Sequence, residues 1–293
     1  MSDTTASLKR KISSAGDLQS VVRTMKALAA SSIGQYEQSV KSLGDYYRAV
    51  ELGLVACFRG SGAWPARIGG KKASQARAIG AVVFGSDQGL VGQFNDKVAE
   101  HAIQALSTLP GKPQVWAVGE RVHSRLQDAG MPMAGLFSVP NSVQAITPLI
   151  GQILVEHETH QGRGEVSELH LFYNRPVSRS VYKPVSQRLL PLDEKWSSEL
   201  SALPWPTKSL PEVLGGSSAT VRALIREYMF VSLFRACAES LASENASRLA
   251  AMERADKNID ELLEDLHGTF HRLRQSSIDE ELFDVISAYE ASR

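Results

Sequence analysis

The residues best suited to chemistry fall in a few places. Segment 85–95, GSDQGLVGQFN, follows an apolar run and opens a helical pattern, so its glycines could offer backbone N–H groups to an anion. It lacks the Gly-Lys-Ser/Thr of a phosphate-binding loop and the GxGxxG fingerprint. Composition reads it first as a tight strand-to-helix turn, with a partner-contacting loop or a nucleotide cradle as the alternatives. Two histidine pairs come next. His157 and His160 are three apart beside Glu156 and Glu158, and His267 and His271 are four apart on one helical face. A structural zinc takes four ligands and a catalytic zinc about three, and no cysteine lies near either pair. Both pairs read as solvated surface histidines. Ser86 with Asp87 is a polar turn, since the GxSxG of a nucleophile elbow is absent. The run Asp279-Glu280-Glu281 with Asp284 reads as solvation of a helix end, and Met25, Met229 and Met252 read as seam packing. No nucleophile, base and orienting group cluster, so no catalytic, cofactor or metal site is expected.

The elements that must hold these residues fall into three parts. Residues 7–58 read as one long helix. Leu8, Ile12, Ala15, Val22, Met25, Ala29, Tyr36, Leu43, Val50 and Leu54 recur at the spacing of a single stripe. Gly16, Gly34, Gly44 and Gly53 each cost roughly 1 kcal/mol relative to alanine, so this helix needs a partner. Its small-residue stretch 27–32, ALAASS, would let another backbone approach. Residues 218–290 carry a stronger near-heptad rhythm, running through Val221, Tyr228, Met252, Ile259, Leu262 and Leu266 to Leu282 and Ile286. That segment holds one glycine, Gly268, and no proline. A helix of that length is on the order of 100 Å, which implies a coiled-coil arm. Gly215-Gly216 ends the preceding loop, and Ser217 or Ser218 is placed to cap the first turn. Leu262 is expected in the seam, where Leu262→Asp would bury an unpaired charge.

Between the arms the period changes. Segments 78–84, 114–118, 169–173 and 181–190 read as strands, and 92–106, 121–129 and 142–160 as helices. Strand–helix–strand order implies an α/β layer with parallel pairing. The expected fold is therefore α/β with a long antiparallel coiled coil: N- and C-terminal helices paired as a rod, flanking a Rossmann-like domain. The boundaries are 1–60 and 217–293 for the rod and 61–216 for the central domain with its connecting loops.

Composition bounds the alternatives. The chain has 293 residues, 43% hydrophobic and 22% charged, with zero net charge, which fits neither a disordered nor a membrane-spanning chain. Residues 1–60 carry 8 basic and 5 acidic side chains, and residues 217–293 carry 9 and 14, so the arms attract each other weakly. No block is basic enough for nucleic acid. The first residues lack the apolar core of a signal peptide. Two cysteines, Cys57 and Cys237, rule out a disulfide framework and leave one bridge open.

Three segments, in order, resemble the γ subunit of F-type ATP synthases. Residues 8–32, LKRKISSAGDLQSVVRTMKALAASS, are similar to that family's opening helix. Residues 85–95 are similar to its SDxGLxGxxN turn, with Val91 and Gln93 in place of the usual Cys and Gly. Residues 243–281 match its terminal-helix pattern through Asn245, Arg248, Ala251-Met252 and Arg274-Gln275, with His271 for the usual Asn and Asp279 for the usual Thr. Residues 21–37, VVRTMKALAASSIGQYE, resemble the divergent alternate (N-ATPase) branch.

The resemblance implies a non-catalytic rotor shaft, peripheral on the cytoplasmic face of a bacterial inner membrane. It would couple ion flow to ATP synthesis or hydrolysis. Its implied partners are the α and β subunits of the catalytic ring, the ε subunit and the c-subunit ring, with no cofactor, no nucleic acid and no small-molecule substrate of its own. Arg23, Met25 and Lys26 would lie near an acidic β-subunit loop. Arg274 and Gln275 would meet a β catch-loop, and Asp87 and Gln88 sit in the turn that would face the ring. Two rivals remain from the residues alone. An α/β enzyme with helical arms predicts a bound nucleotide or metal. A helical scaffold or adaptor predicts partner binding without effect on ATP turnover.

Overall fold

The apolar stripe of the first segment folds as one helix, α1 (Thr5–Ser61). In the computed structural model the described residues are 4–61, 78–163, 166–178, 181–192, 196, 200, 202–209, 211–212 and 217–292. Residues 62–77, Gly215-Gly216 and the side chains of Ser217 and Ser218 lie outside them, and so do the connector and cap expected there. After α1 come β1 (Ala78–Phe84), α2 (Phe94–Ser107), β2 (Lys112–Val118), α3 (Glu120–Asp128), β3 (Met133–Phe137), α4 (Val143–Gly162), β4 (Glu168–Ser178), β5 (Val181–Leu190) and α5 (Ser217–Ala291). At 75 residues, α5 follows about 110 Å of helical path. Two long terminal helices thus flank a central mixed sheet, as expected. Contacts divide the chain into two units, Ser31–Ser247 and Met1–Ala30 with Arg248–Arg293. Both α1 and α5 contribute residues to each.

The larger unit holds the sheet, ordered β3-β2-β1-β4-β5. β1 pairs parallel with β2 and β4, β2 pairs parallel with β3, and β5 closes the edge antiparallel to β4. β1 is apolar throughout because both its faces are covered. Ile79, Ala81 and Val83 pack with α2 and α3 through Val98, Leu106, Val122 and Leu126. Val82 and Phe84 face the other layer, built from Ile146, Ile150 and Ile153 of α4, Leu54 of α1, and Leu233 and Leu241 of α5. Strand β3 was not expected. It is short, follows Pro132 and contains Gly135, all signals against a strand. The glycine is needed there, because a Cβ would stand 3.0 Å from the Trp116 indole of the neighbouring strand.

Within this unit α1 and α5 run antiparallel. The Tyr46 hydroxyl donates to Glu227 at 2.7 Å, the Tyr47 and Tyr228 rings lie 5.8 Å apart, and Gly53 abuts Leu224. In the smaller unit the same sense holds. Ala15 and Val22 bury against Met252 and Ile259, with Met25, Ala255 and Leu263 half-buried around them. Along α1, Leu8, Ala15, Val22, Ala29, Tyr36 and Val50 are buried and Leu43 is half-buried, one every seventh residue. A strict heptad imposes a left-handed supercoil on such a pair. Of the small-residue stretch 27–32, only Ala29 is buried.

The seam in α5 differs from expectation in two respects. Leu262 is 49% exposed, and Leu263 packs in its place beside Ile259. Two consecutive leucines fit either a three- or a four-residue step, and the helix takes the four-residue step from Ile259. Leu282 and Ile286 are also exposed, at 58% and 45%.

Candidate functional site

The turn after β1 lies at the carboxyl ends of the parallel strands, where the strand order reverses between β1 and β4. Doubly wound folds bind their ligands at that position. Here the turn is closed on itself. Ser86 is fully buried, its N–H donates to Asn95 Oδ1 at 3.0 Å, and Asn95 Nδ2 donates back to Ser86 Oγ at 2.8 Å. The Ser86 hydroxyl donates to the Gln88 carbonyl at 2.9 Å. A Cβ at Gly85 would stand 2.4 Å from Val122, so only glycine lets β1 end this close to α3. Asp87 is half-buried. Its Oδ1 accepts the Glu120 N–H at 3.0 Å, at the start of α3, and its Oδ2 accepts the Val139 N–H at 2.9 Å. That carboxylate thereby caps the start of α3. Of the three readings of this segment, the tight turn matches the geometry, and Gln88 and Leu90 remain exposed on its rim. Leu90 adopts φ 62°, the left-handed region that costs a branched side chain about 1 kcal/mol.

A second group lies in the smaller unit. Arg23 Nε pairs with Asp256 Oδ1 at 3.0 Å and Lys26 Nζ with Asp256 Oδ2 at 3.0 Å. Arg23 also reaches Asp260 at 3.5 Å, and Gln19 donates to the same carboxylate. Hydrogen bonds from Lys26 and then Arg23 hold the Asp256 carboxyl below its ordinary range. Both cations are thus engaged within the chain, and Met25 packs half-buried at the seam between them. The structure brings Arg23, Met25 and Lys26 together. It places Asp87 and Gln88 apart from them in the other unit, and it leaves Arg274 and Gln275 exposed on the last third of α5.

That last third forms a third feature. Fourteen residues before Gln19 lies Thr5, the first of α1, and fourteen after Asp260 lies Arg274. Beyond Arg274, α5 has no α1 residue opposite it. Ile278, Leu282, Val285, Ile286 and Tyr289 lie 45–70% exposed at helical spacing along one face, and Phe283 is exposed beside them.

The histidines require a correction. His267 and His271 are exposed and stack at 6.5 Å, as expected of surface residues. His157 is buried at 4% exposure, with neither ring nitrogen hydrogen-bonded, and His160 lies edge-on to Trp116 at 5.0 Å. The signal was present in the sequence: His157 continues the buried stripe of Ile146, Ile150 and Ile153 at helical spacing. Burial first, and the neighbouring His160 second, lower its pKa to about 4. Cys57 and Cys237 are free, buried thiols, and burial raises both pKa values, so neither is an activated nucleophile. Among the described residues no three His, Cys, Asp or Glu side chains are placed to share a metal ion, and no helix is long and apolar enough to cross a membrane.

Comparison with known proteins identifies the arrangement. The family model described as ATP synthase matches residues 4–291. The ATP synthase gamma chain of Glaesserella parasuis serovar 5 (strain SH0165) is 25% identical over 290 residues, covering 97% of this chain and 98% of that one. The gamma chain of Clostridium pasteurianum is 25% identical, covering 98% of each. A chain in the Euglena gracilis mitochondrial ATP synthase structure of OSCP, F1 and c-ring shares the fold, with a TM-score of 0.63 and 17% identity over 98% of this chain and 94% of that one. A chain in the central stalk and c-ring of the Tetrahymena thermophila mitochondrial enzyme superposes with a TM-score of 0.55 and 18% identity, over 80% of this chain and 99% of that one. The chain belongs to the ATP synthase family, among its gamma chains.

Proposed function

We propose that the chain is the central shaft of a rotary ATP synthase, itself non-catalytic, turning within a ring of alternating α and β subunits. The observation that carries this is the end of α5. Its apolar face is left bare among the described residues, which fits cover by another protein, and a ring of subunits around the helix tip covers every side at once. The paired helices 1–60 and 217–293 act as the rod. Domain 61–216 lies outside the ring and meets the ε subunit and the c-subunit ring, on the cytoplasmic face of a bacterial inner membrane. The rod is asymmetric, so each β subunit meets a different face at a given angle. Contacts that differ between β conformations shift their populations. Rotation thereby cycles affinity for ADP, phosphate and ATP, and hydrolysis drives the shaft in reverse because the coupling is reciprocal.

The residue assignments follow from this reading. Arg274 and Gln275, exposed on α5 about level with the first residue of α1, meet a β loop. Gln88 on the turn's rim faces the ring. Arg23 and Lys26 reach an acidic β loop only by sharing themselves with Asp256, while Asp87 acts from within by holding the turn closed. Co-expression with the α and β subunits of the same organism tests the reading. One copy per six-membered ring, with ATP turnover well above that of the ring alone, is expected. Purification as a separate monomer, with turnover unchanged, would sink it.

A further inference from the structure

The buried polar residues of α5 form a pattern that a merely stable helix does not need. Glu239, Ser243 and Ser247 are spaced by four, on one face over about 12 Å of helix, and all three are buried. Ser243 Oγ donates to the Asn174 carbonyl of β4 at 2.9 Å, and Asn174 Nδ2 donates onward to the Phe94 carbonyl at the start of α2, also at 2.9 Å. Ser247 Oγ donates to the Val91 carbonyl of the turn at 2.6 Å. Glu239 accepts from Arg175 of β4 at 3.0 Å and from Arg235, one turn back on α5, at 2.7 Å. Arg175 also donates to the Tyr173 hydroxyl. A helical serine ordinarily bonds the carbonyl one turn before it. Here both serine hydroxyls reach across to other elements.

We propose that Glu239, Ser243 and Ser247 are positioning residues that lock α5 to β4 and to the turn after β1, and that this lock transmits torque between the sheet and the shaft. The inference rests on the shaft reading above. The apolar contacts of α5 with the sheet, through Leu233 and Leu241, are non-directional, so they yield gradually when a helix slides or turns about its axis. Hydrogen bonds fail once the donor moves a fraction of an ångström or the angle closes, and no water stands ready to replace a buried one. The three residues therefore set the load at which α5 slips. Because the Ser247 bond ends on Val91, the turn belongs to the same lock.

The test uses the assembled complex with its ring fixed to a surface. A magnetic bead is attached through Asp128→Cys at the exposed end of α3, the two native thiols being buried. Stall torque at the bead and unloaded ATP hydrolysis are measured for Glu239→Gln and for Ser243→Ala with Ser247→Ala. The expected result is a stall torque below about half that of the parent with unloaded hydrolysis within about twofold, and recovery of torque in Ser243→Thr with Ser247→Thr, which restores both hydroxyls. Parental torque in both altered complexes would overturn the lock. So would equal loss of torque and unloaded hydrolysis, which marks a folding role. If the double variant does not assemble, Ser247→Ala alone is read the same way, and its failure to assemble also assigns these bonds to folding. A parent complex that does not turn the bead at all defeats the shaft reading itself, an outcome separable from slip in the variants.

Discussion

His157 shows how one side chain can tie this fold to pH. Its pKa in the folded chain is about 4, against an ordinary 6.5, because burial disfavours the charged ring and His160 stands beside it. Above pH 6.5 both folded and unfolded chains hold it neutral, and it contributes nothing to the pH dependence. As the pH falls from 6.5 towards 4, the unfolded chain takes up a proton that the folded chain refuses, so stability declines. The loss is about 2 kcal/mol by pH 5. His157→Leu should remove this component, flattening the decline in melting temperature between pH 7 and pH 5. An unchanged acid slope would show that another group is responsible. Asp256 acts in the same sense, losing stability as acid is added, but lower on the scale. Its depressed carboxyl favours the fold at neutral pH, and that contribution disappears only as the pH falls through its own lowered pKa. The two residues also differ in how far their roles could be read from sequence. The excess of acid in the last segment over the first anticipated pairing such as Asp256 with Arg23 and Lys26. His157 sits between Glu156 and Glu158 and so mimics a surface residue, and only the stripe of isoleucines before it points inward.

At the scale of the element, the seam in the smaller unit is thin, and Ala15, Val22, Met252 and Ile259 form a buried apolar cluster of four side chains. One charge among them has nowhere to turn. Ile259→Asp should cost about 3 kcal/mol or more through lost apolar burial and an unpaired carboxylate. Leu262→Asp, three residues on and half exposed, should stay within about 0.5 kcal/mol. Hydrogen exchange along α5 in the assembled complex distinguishes them, because Ile259→Asp should deprotect the flanking turns and Leu262→Asp should not. Equal effects would place both residues in the seam. The long helices and β1 could be read from the sequence because each follows a single period over many residues: the heptad from Leu8 to Val50, the all-apolar run of residues 78–84. The register at Leu262-Leu263 could not, since adjacent leucines satisfy either step and only packing against α1 decides between them. Strand β3 was hidden for a related reason. Gly135 is a strand breaker by composition, and its use is set by the Trp116 ring on another strand. The turn after β1 was recognisable as a turn, but the double hydrogen bonding of Asp87 depends on Glu120 and Val139, which are distant in sequence.

For the whole molecule, the deciding question is what covers the bare end of α5. Ile278, Leu282 and Ile286 contribute little to the fold, because no α1 residue lies opposite them; in water they only add exposed apolar surface. Burying one such side chain against a partner is worth about 1.5–3 kcal/mol, and each 1.4 kcal/mol is about tenfold in affinity. Leu282→Glu combined with Ile286→Glu should therefore leave the melting behaviour of the chain unchanged while lowering its affinity for the α/β ring by at least about a hundredfold. Titrating the chain into purified ring and following both co-elution and ATP turnover measures this directly. If the double variant joined the ring and raised turnover as the parent does, the tip would not lie in an apolar sleeve, and the cover for this face would have to be sought elsewhere. A variant that melted earlier on its own would instead show that this face packs within the chain. The same titration with Leu262→Asp separates general helix damage from loss of the tip contact, since that substitution adds a charge of the same sign to an exposed position farther up α5.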